Sequence, residues 1–274
     1  MIRLDIAVIG SGMAGLATAR ILQDAGHRIT IFEALQGRGM DSHSLEFEGG
    51  LIDAPLRVMN PYLWKNTLSL ATHLGIKTYP VRTYMACSWL FEDRVETWLT
   101  TSRSKIGNIP IINNRKGIQQ YGWRLVKGLL QLKTALAKFF KSKNQDISLA
   151  EFINRNEIEE VFWHGAVMPV LYTICTCNPK TIGEWPAKPL LTFLRQLTDG
   201  DALLRIQGGT PALVNKLIEG IHIKSGSPIT HIRQQDDQVY VKNAEGETAV
   251  FDRVVVATPT TNIENFLDRE QFAE

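Results

Sequence analysis

"DIAVIGSGMAGLATARILQDAGHRITIFEA", Asp5 to Ala34, decides how the rest of the chain is read. It opens with a short apolar run containing Ile6, Val8 and Ile9, the pattern of a strand buried on both faces of a parallel sheet. Gly10, Gly12 and Gly15 follow as G-x-G-x-x-G, and Ala14 to Ala25 has helical composition with small residues at Ala14, Ala17 and Ala19. Gly26 stops that helix, and His27 to Phe32 reads as a second strand that ends at Glu33, 18 residues after Gly15. A lone glycine triplet of this spacing is weak evidence. A strand before it, a helix after it and an acid at the second strand's end make it specific for an adenine dinucleotide.

Each position has a physical task in that reading. Gly10 permits the tight strand-to-helix turn, Gly12 lets a pyrophosphate approach the backbone without a Cβ in the way, and Gly15 lets helix and strand pack closely. Backbone amides at the helix start, around Ser11, Met13 and Ala14, would meet the phosphate charge with help from the helix dipole. Glu33 is placed to accept hydrogen bonds from both ribose hydroxyls, and its charge repels a 2′-phosphate, which disfavours NADP. A packed βαβ unit that binds nothing is the plainer alternative, opposed by the completeness of the pattern. A membrane span is opposed by length: Ile6 to Ala19 is shorter than the roughly 20 apolar residues required, and it contains three glycines.

Bulk properties narrow the class. The 274 residues suffice for one large domain or two modest ones, with 44% hydrophobic and 21% charged residues, as in ordinary globular enzymes. Thirty basic against 28 acidic side chains leave a net charge of +2, which argues against nucleic acid as a partner. Three cysteines (Cys87, Cys175 and Cys177) suit a reducing compartment better than a disulfide framework. Met1 to Asp5 runs straight into the strand pattern without a basic leader, so a cytoplasmic location is expected, with a peripheral membrane contact left open.

After Glu33 the chain reads Ala34-Leu35-Gln36-Gly37-Arg38-Gly39-Met40-Asp41, then "LEFEGGLIDAPLRVM". The latter implies a β-hairpin, Ser44 to Phe47 and Gly50 to Asp53 around Glu48-Gly49. Glu33-Ala34, a glycine-rich loop and such a hairpin resemble the FAD-dependent amine oxidase-like flavoproteins: monoamine oxidases, protoporphyrinogen oxidases and phytoene desaturases. The closest likeness is to flavoproteins associated with cyclopropane fatty acid synthesis. "LLRIQGGTPALVNKLIEGIHIKSGSPITHIRQQDDQVYVKNAEGETAVFDRVVVATP" resembles the family's returning segment, and "LAEFINRNEIEEVFWHGAVMPVLYTICTCNPKTIGEWPAKPLLTFLRQL" its helical substrate-domain segment.

The resemblance implies FAD as cofactor, bound by Gly10, Ser11, Gly12, Met13, Ala14, Gly15, Glu33, Ala34, Gly39 and Met40. It also implies that the Ile229 backbone touches the adenine and that Ala257 lies near the adenosine half. Departures from the family pattern stand out in the loop and at the end of the sequence. Gly37 takes the place of the first loop arginine; Met40 replaces a glycine and would crowd the cofactor; and Asp41 replaces a basic or imidazole residue and would bring negative charge near a diphosphate. The sequence stops at Glu274, soon after Thr258-Pro259, where family members continue with the segment that contacts the flavin half.

Between these ends, Pro61 to Gly75 reads as a helix, and Thr83 to Phe91 and Val95 to Leu99 as strands. Ile118 to Lys141 reads as a long amphipathic helix, with Ile118, Tyr121, Leu125, Leu129, Leu132, Leu136 and Phe139 at three- and four-residue steps. Its other face carries Arg124, Lys127, Lys133, Lys138 and Lys141; the primary reading is a core helix with a solvated basic face, the alternative a membrane-facing one. Cys175-Thr176-Cys177 reads as small buried hydrophobes rather than a metal or redox motif, and His164 as a packing residue. No serine hydrolase, zincin or P-loop motif occurs.

The expected fold is α/β: a discontinuous Rossmann-like FAD/NAD(P)-binding domain from residues 1–56 and 205–260, an inserted mainly helical substrate domain at 57–204, and a truncated end at 261–274. The expected function is FAD-dependent hydride transfer from a C–N or C–C bond of a small or lipid-like substrate. No residue of the chain is assigned a catalytic role, and no metal is expected. Two rivals remain: a non-catalytic remnant or one subunit of a split flavoprotein whose second chain completes the flavin site, and an NAD-dependent dehydrogenase.

Overall fold

A computed structural model of the chain describes residues 2–37, 39–40, 44–53, 58–81, 84, 86–103, 110–112, 115–198 and 203–267. Two compact units emerge, one from Met1–Val81 with Ala202–Glu274 and one from Arg82–Asp201. The first pass through unit one gives β1 (Asp5–Ile9), α1 (Met13–Asp24), β2 (Arg28–Phe32), β3 (Ser44–Phe47), β4 (Gly50–Asp53), α2 (Lys65–His73) and β5 (Thr78–Val81). Unit two contains β6 (Ala86–Leu90), β7 (Val95–Arg103), β8 (Pro110–Ile112), α3 (Arg115–Lys141), α4 (Leu149–Arg155) and α5 (Glu160–Phe162). A π-turn at Trp163–Val167 then leads into α6 (Met168–Cys175), α7 (Pro179–Glu184) and α8 (Ala187–Thr198). The chain returns to unit one with β9 (Leu203–Ile206), α9 (Gly209–Leu217), β10 (His222–Lys224), β11 (Ile229–Gln235), β12 (Gln238–Asn243), β13 (Thr248–Phe251) and β14 (Arg253–Val256).

A four-stranded parallel sheet in the order β10-β2-β1-β14 organises unit one. The apolar run of β1 explains its central place, because residues 6 to 9 are all buried and successive side chains serve opposite faces. Ile6 and Val8, with Ile29 and Ile31 of β2, meet Leu16 and Ala19 of α1 and Leu213 and Leu217 of α9. Ala7, Ile9 and Phe32 face the other way, against Ile232, Val239 and Val241 of the antiparallel sheet β11-β12-β13. The result is three layers, and each fully buried Leu or Ile contributes roughly 1.5–3 kcal/mol.

The hairpin β3–β4 pairs as its sequence implies, with positive φ at Glu48 and Gly49 in a two-residue turn. Its Asp53 carboxylate, 2% exposed, accepts from the Thr210 N–H at 2.6 Å and from the Thr210 hydroxyl, and so fixes the start of α9. α2 begins later than Pro61: the Asn60 side chain accepts from the Tyr62 and Leu63 amides and holds a turn ahead of it.

Within unit two, Leu132, Leu136 and Phe139 of α3 pack with Phe152, Trp163, Leu171, Ile182 and Leu191 in one core. Ile118 and Leu129, expected on the same stripe, are exposed, and the close face is completed by Gly117, Gly128 and Ala135. Trp89 stacks on Trp98, which meets Tyr121 edge-on, in a second small core with Cys87. Cys175 ends α6 and Thr176 adopts a left-handed conformation; both thiols are half-buried. His164 is exposed, contrary to a packing role, while Trp163 beside it is buried. Among the described residues no helix is long and apolar enough to cross a membrane.

Candidate functional site

A cavity of about 510 Å³ lies beyond the C-terminal ends of β1, β2 and β14, inside the range of about 300–1,000 Å³ usual for small-molecule sites. Open parallel sheets bind ligands at this edge because the loops and helix starts there present unpaired amides. Of the residues singled out in the sequence, Gly10, Ser11, Gly12, Glu33, Ala34, Ile229 and Ala257 line the cavity together.

The three loop glycines differ in what surrounds them. Gly10 has φ +102°, and a Cβ there would sit 2.9 Å from the Ala257 carbonyl oxygen. A Cβ at Gly15 would sit 2.0 Å from the Gly10 carbonyl oxygen, so helix and loop touch through bare backbone. Gly12 is different: nothing lies within 4 Å of its Cβ position. Packing within the chain demands the first and third glycines and leaves the second facing open space. Gly12 is also the N-cap of α1, which has no side-chain cap and no acid in its first turn. Its leading amides are therefore free for an anionic group.

Glu33 is 8% exposed and already engaged. One carboxylate oxygen accepts from the Ser11 N–H at 2.9 Å and the Ser11 hydroxyl at 2.5 Å, the other from the Leu35 N–H at 2.9 Å. Burial pushes the carboxyl pKa up, but hydrogen bonds from Leu35, Ser11 and Ala34 outweigh it and hold the group below its ordinary value. A carboxylate accepts about four hydrogen bonds, so these three protein donors fill most of its capacity. The expectation of a carboxylate free to take both ribose hydroxyls needs amending. A ligand hydroxyl would share it or displace the Ser11 hydroxyl, the one donor on a rotatable bond.

Other expected residues stand behind the lining. Gly39, at φ +62°, passes so close that a Cβ would lie 2.3 Å from Ser11 Oγ and 2.9 Å from a Glu33 oxygen. Met40 does not crowd the cavity as its size suggests: its side chain joins the Leu16 core, and its N–H reaches the Ser11 carbonyl at 3.4 Å. Met13 packs in the same core, and Ala14 is exposed on the first turn of α1. Asp41 lies outside the described residues.

The cavity also has walls that glycine spacing does not reveal: Leu35, Ser227, Pro228 and the segment after β14, with Thr258, Asn262, Asn265 and Phe266. Thr258 matters most, because its hydroxyl oxygen is buried without a hydrogen-bond partner. Buried hydroxyls are normally satisfied, and an orphan on a cavity wall calls for a polar group in the cavity. The Ala-Thr-Pro ending was the available signal for it. An open glycine, uncapped amides, a buried carboxylate and an orphan hydroxyl together fit the adenosine diphosphate half of a dinucleotide.

Comparison with known proteins agrees with this geometry. The family model described as flavin containing amine oxidoreductase matches residues 13–273. Polyamine oxidase 2 of Arabidopsis thaliana is 24% identical over 266 residues, covering 93% of this chain and 51% of the relative. Lysine-specific histone demethylase 2 of Homo sapiens is 25% identical over 272 residues, covering 93% and 30%. A putrescine oxidase solved with putrescine superposes at TM-score 0.66 and 15% identity, covering 97% of this chain and 61% of that one. The chain thus spans about half or less of the length of these two curated relatives.

Proposed function

Because the chain belongs to the flavin containing amine oxidoreductase family, we propose that it binds FAD through this cavity and serves an FAD-dependent oxidoreductase. When bound, the flavin supplies hydride acceptance from a C–N or C–C bond. The chain's own part is to hold the cofactor. Amides of the Gly12–Ala14 turn face the diphosphate, Glu33 takes the ribose hydroxyls in place of the Ser11 hydroxyl, and the backbone at Ile229 and Ala257 flanks the adenosine. Thr258 donates to, or accepts from, a polar group of the same ligand. Gly39 acts indirectly, by letting its loop press Ser11 and Glu33 together.

Open space at Gly12, at an uncapped helix start, carries this reading, because the neighbouring glycines are locked by the chain itself. Residues 1–56 and 205–260 form the cofactor domain in this proposal, and 57–204 the substrate side, in a cytoplasmic enzyme. Relatives named for polyamines and putrescine favour a small amine as substrate, with a lipid-like molecule as the alternative. The test is FAD retention: purified protein should stay yellow through gel filtration, or gain melting temperature with added FAD. Colourless protein indifferent to FAD, or tighter binding of NADH than of FAD, would overturn the proposal.

A further inference from the structure

The outer face of α3 carries a combination of side chains that the cofactor site does not use. Lys116, Gln119, Trp123, Val126, Leu130, Lys133, Ala137 and Lys141 recur at three- and four-residue steps, and every one of them is exposed. Trp123 is 76% exposed, Leu130 58% and Val126 51%, large apolar groups held in water on the middle turns. Arg115–Lys141 contains seven Lys or Arg residues and no Asp or Glu, so the remainder of the chain, whose total is only +2, is net acidic. Among the described residues only Arg124 of this helix has an acidic partner, Glu159; the five lysines make no ion pair. The helix is anchored from behind by Leu125, Leu132, Leu136 and Phe139, and Gly128 lies directly against Phe162.

We propose that this face docks on an anionic lipid bilayer. A rigid helix that shows an indole and two aliphatic side chains flanked by free ammonium groups matches a lipid interface in both chemistries. The apolar groups enter the headgroup boundary and the lysines meet lipid phosphates and carboxylates. Nucleic acid would engage the lysines but offers nothing to Val126 and Leu130, so those two side chains decide between the polyanions. The helix lies on the surface rather than spanning it, being neither apolar enough all round nor free of charge.

The test is co-sedimentation of the whole chain with vesicles of pure phosphatidylcholine and of phosphatidylcholine with 30% phosphatidylserine. Binding is expected to the second only, to weaken strongly between 0.1 and 0.5 M salt, and to shield Trp123 from an aqueous quencher. Each basic residue near such a surface is worth on the order of fivefold, so Lys127→Gln, Lys133→Gln and Lys138→Gln together should weaken binding roughly 100-fold. Leu130→Gln should weaken it with the lysines intact, and the triple Lys→Arg variant should restore it. All replaced residues are exposed, and an unchanged melting temperature separates lost docking from lost folding; should the Leu130 variant melt early, the lysine pair of variants decides alone. Equal binding to neutral vesicles, no binding to either, equal affinity for an RNA oligonucleotide, or a Trp123-dependent dimer in the ultracentrifuge would each overturn the proposal.

Discussion

At the scale of single residues, Gly12 and Gly15 separate ligand binding from folding. Gly15→Ala forces a methyl onto the Gly10 carbonyl and should destabilise unit one by about 1–3 kcal/mol, read by denaturant titration. Gly12→Ala meets nothing and adopts an ordinary φ of −70°, so its stability should fall by no more than about 1 kcal/mol, the cost of alanine at an N-cap, while FAD retention is lost. Equal effects of the two would mean that the open space has no occupant. Ser11 offers a test of opposite sign: Ser11→Ala removes the rotatable donor from Glu33 and frees an acceptor position, so calorimetry should show ADP binding a few-fold tighter. Weaker binding would place the ribose elsewhere. Glu33→Gln puts an amide donor against backbone donors and should cost about 1–3 kcal/mol. The roles of Gly10 and Gly15 were readable in the sequence because loop geometry needs glycine. The prior engagement of Glu33 was not, since it depends on Gly39 folding back over Ser11.

At the scale of elements, periodicity located segments better than it located their faces. The hairpin β3–β4 was legible to the residue, because alternation and a Glu48-Gly49 turn permit only one pairing. The α3 stripe gave Leu125, Leu132, Leu136 and Phe139 correctly but enrolled Ile118 and Leu129. The actual contact line runs through Gly117, Gly128 and Ala135, residues too small to register as hydrophobic although they permit the closest approach. Gly128→Leu should therefore be among the worst substitutions in α3, with Phe162 displaced and a loss of at least about 1–3 kcal/mol in thermal or chemical unfolding. A tolerated leucine would refute that contact. Elsewhere, Ser148 caps α4 by accepting from the Glu151 N–H at 3.1 Å; Ser148→Ala should cost about 1 kcal/mol.

At the scale of the whole molecule, acid should act through a few carboxylates. Burial raises the pKa of Glu33 and of Glu159, yet backbone amides, joined by Arg124 at Glu159, bring both below their ordinary 4.5. A depressed folded pKa contributes stability that is complete above the unfolded value and is lost as pH falls through the folded one. The melting temperature should hardly change from pH 7 to about 5 on account of these groups, then fall, and the fall should be shallower in the Glu33→Gln, Glu159→Gln variant. Sequence periodicity alone did not show that the last strand returns beside the first; family resemblance supplied that. The structure gives its physical form, with β14 in parallel register on β1 and the Asp5 N–H donating to the Asp252 carboxylate across 247 positions. That span has a temporal meaning on the ribosome. The carbonyl that closes the glycine turn, at Ala257, is synthesised some ten to fifty seconds after the turn itself, at roughly 5–20 residues per second. Until then β1 has a bare edge that a chaperone or another nascent strand can claim.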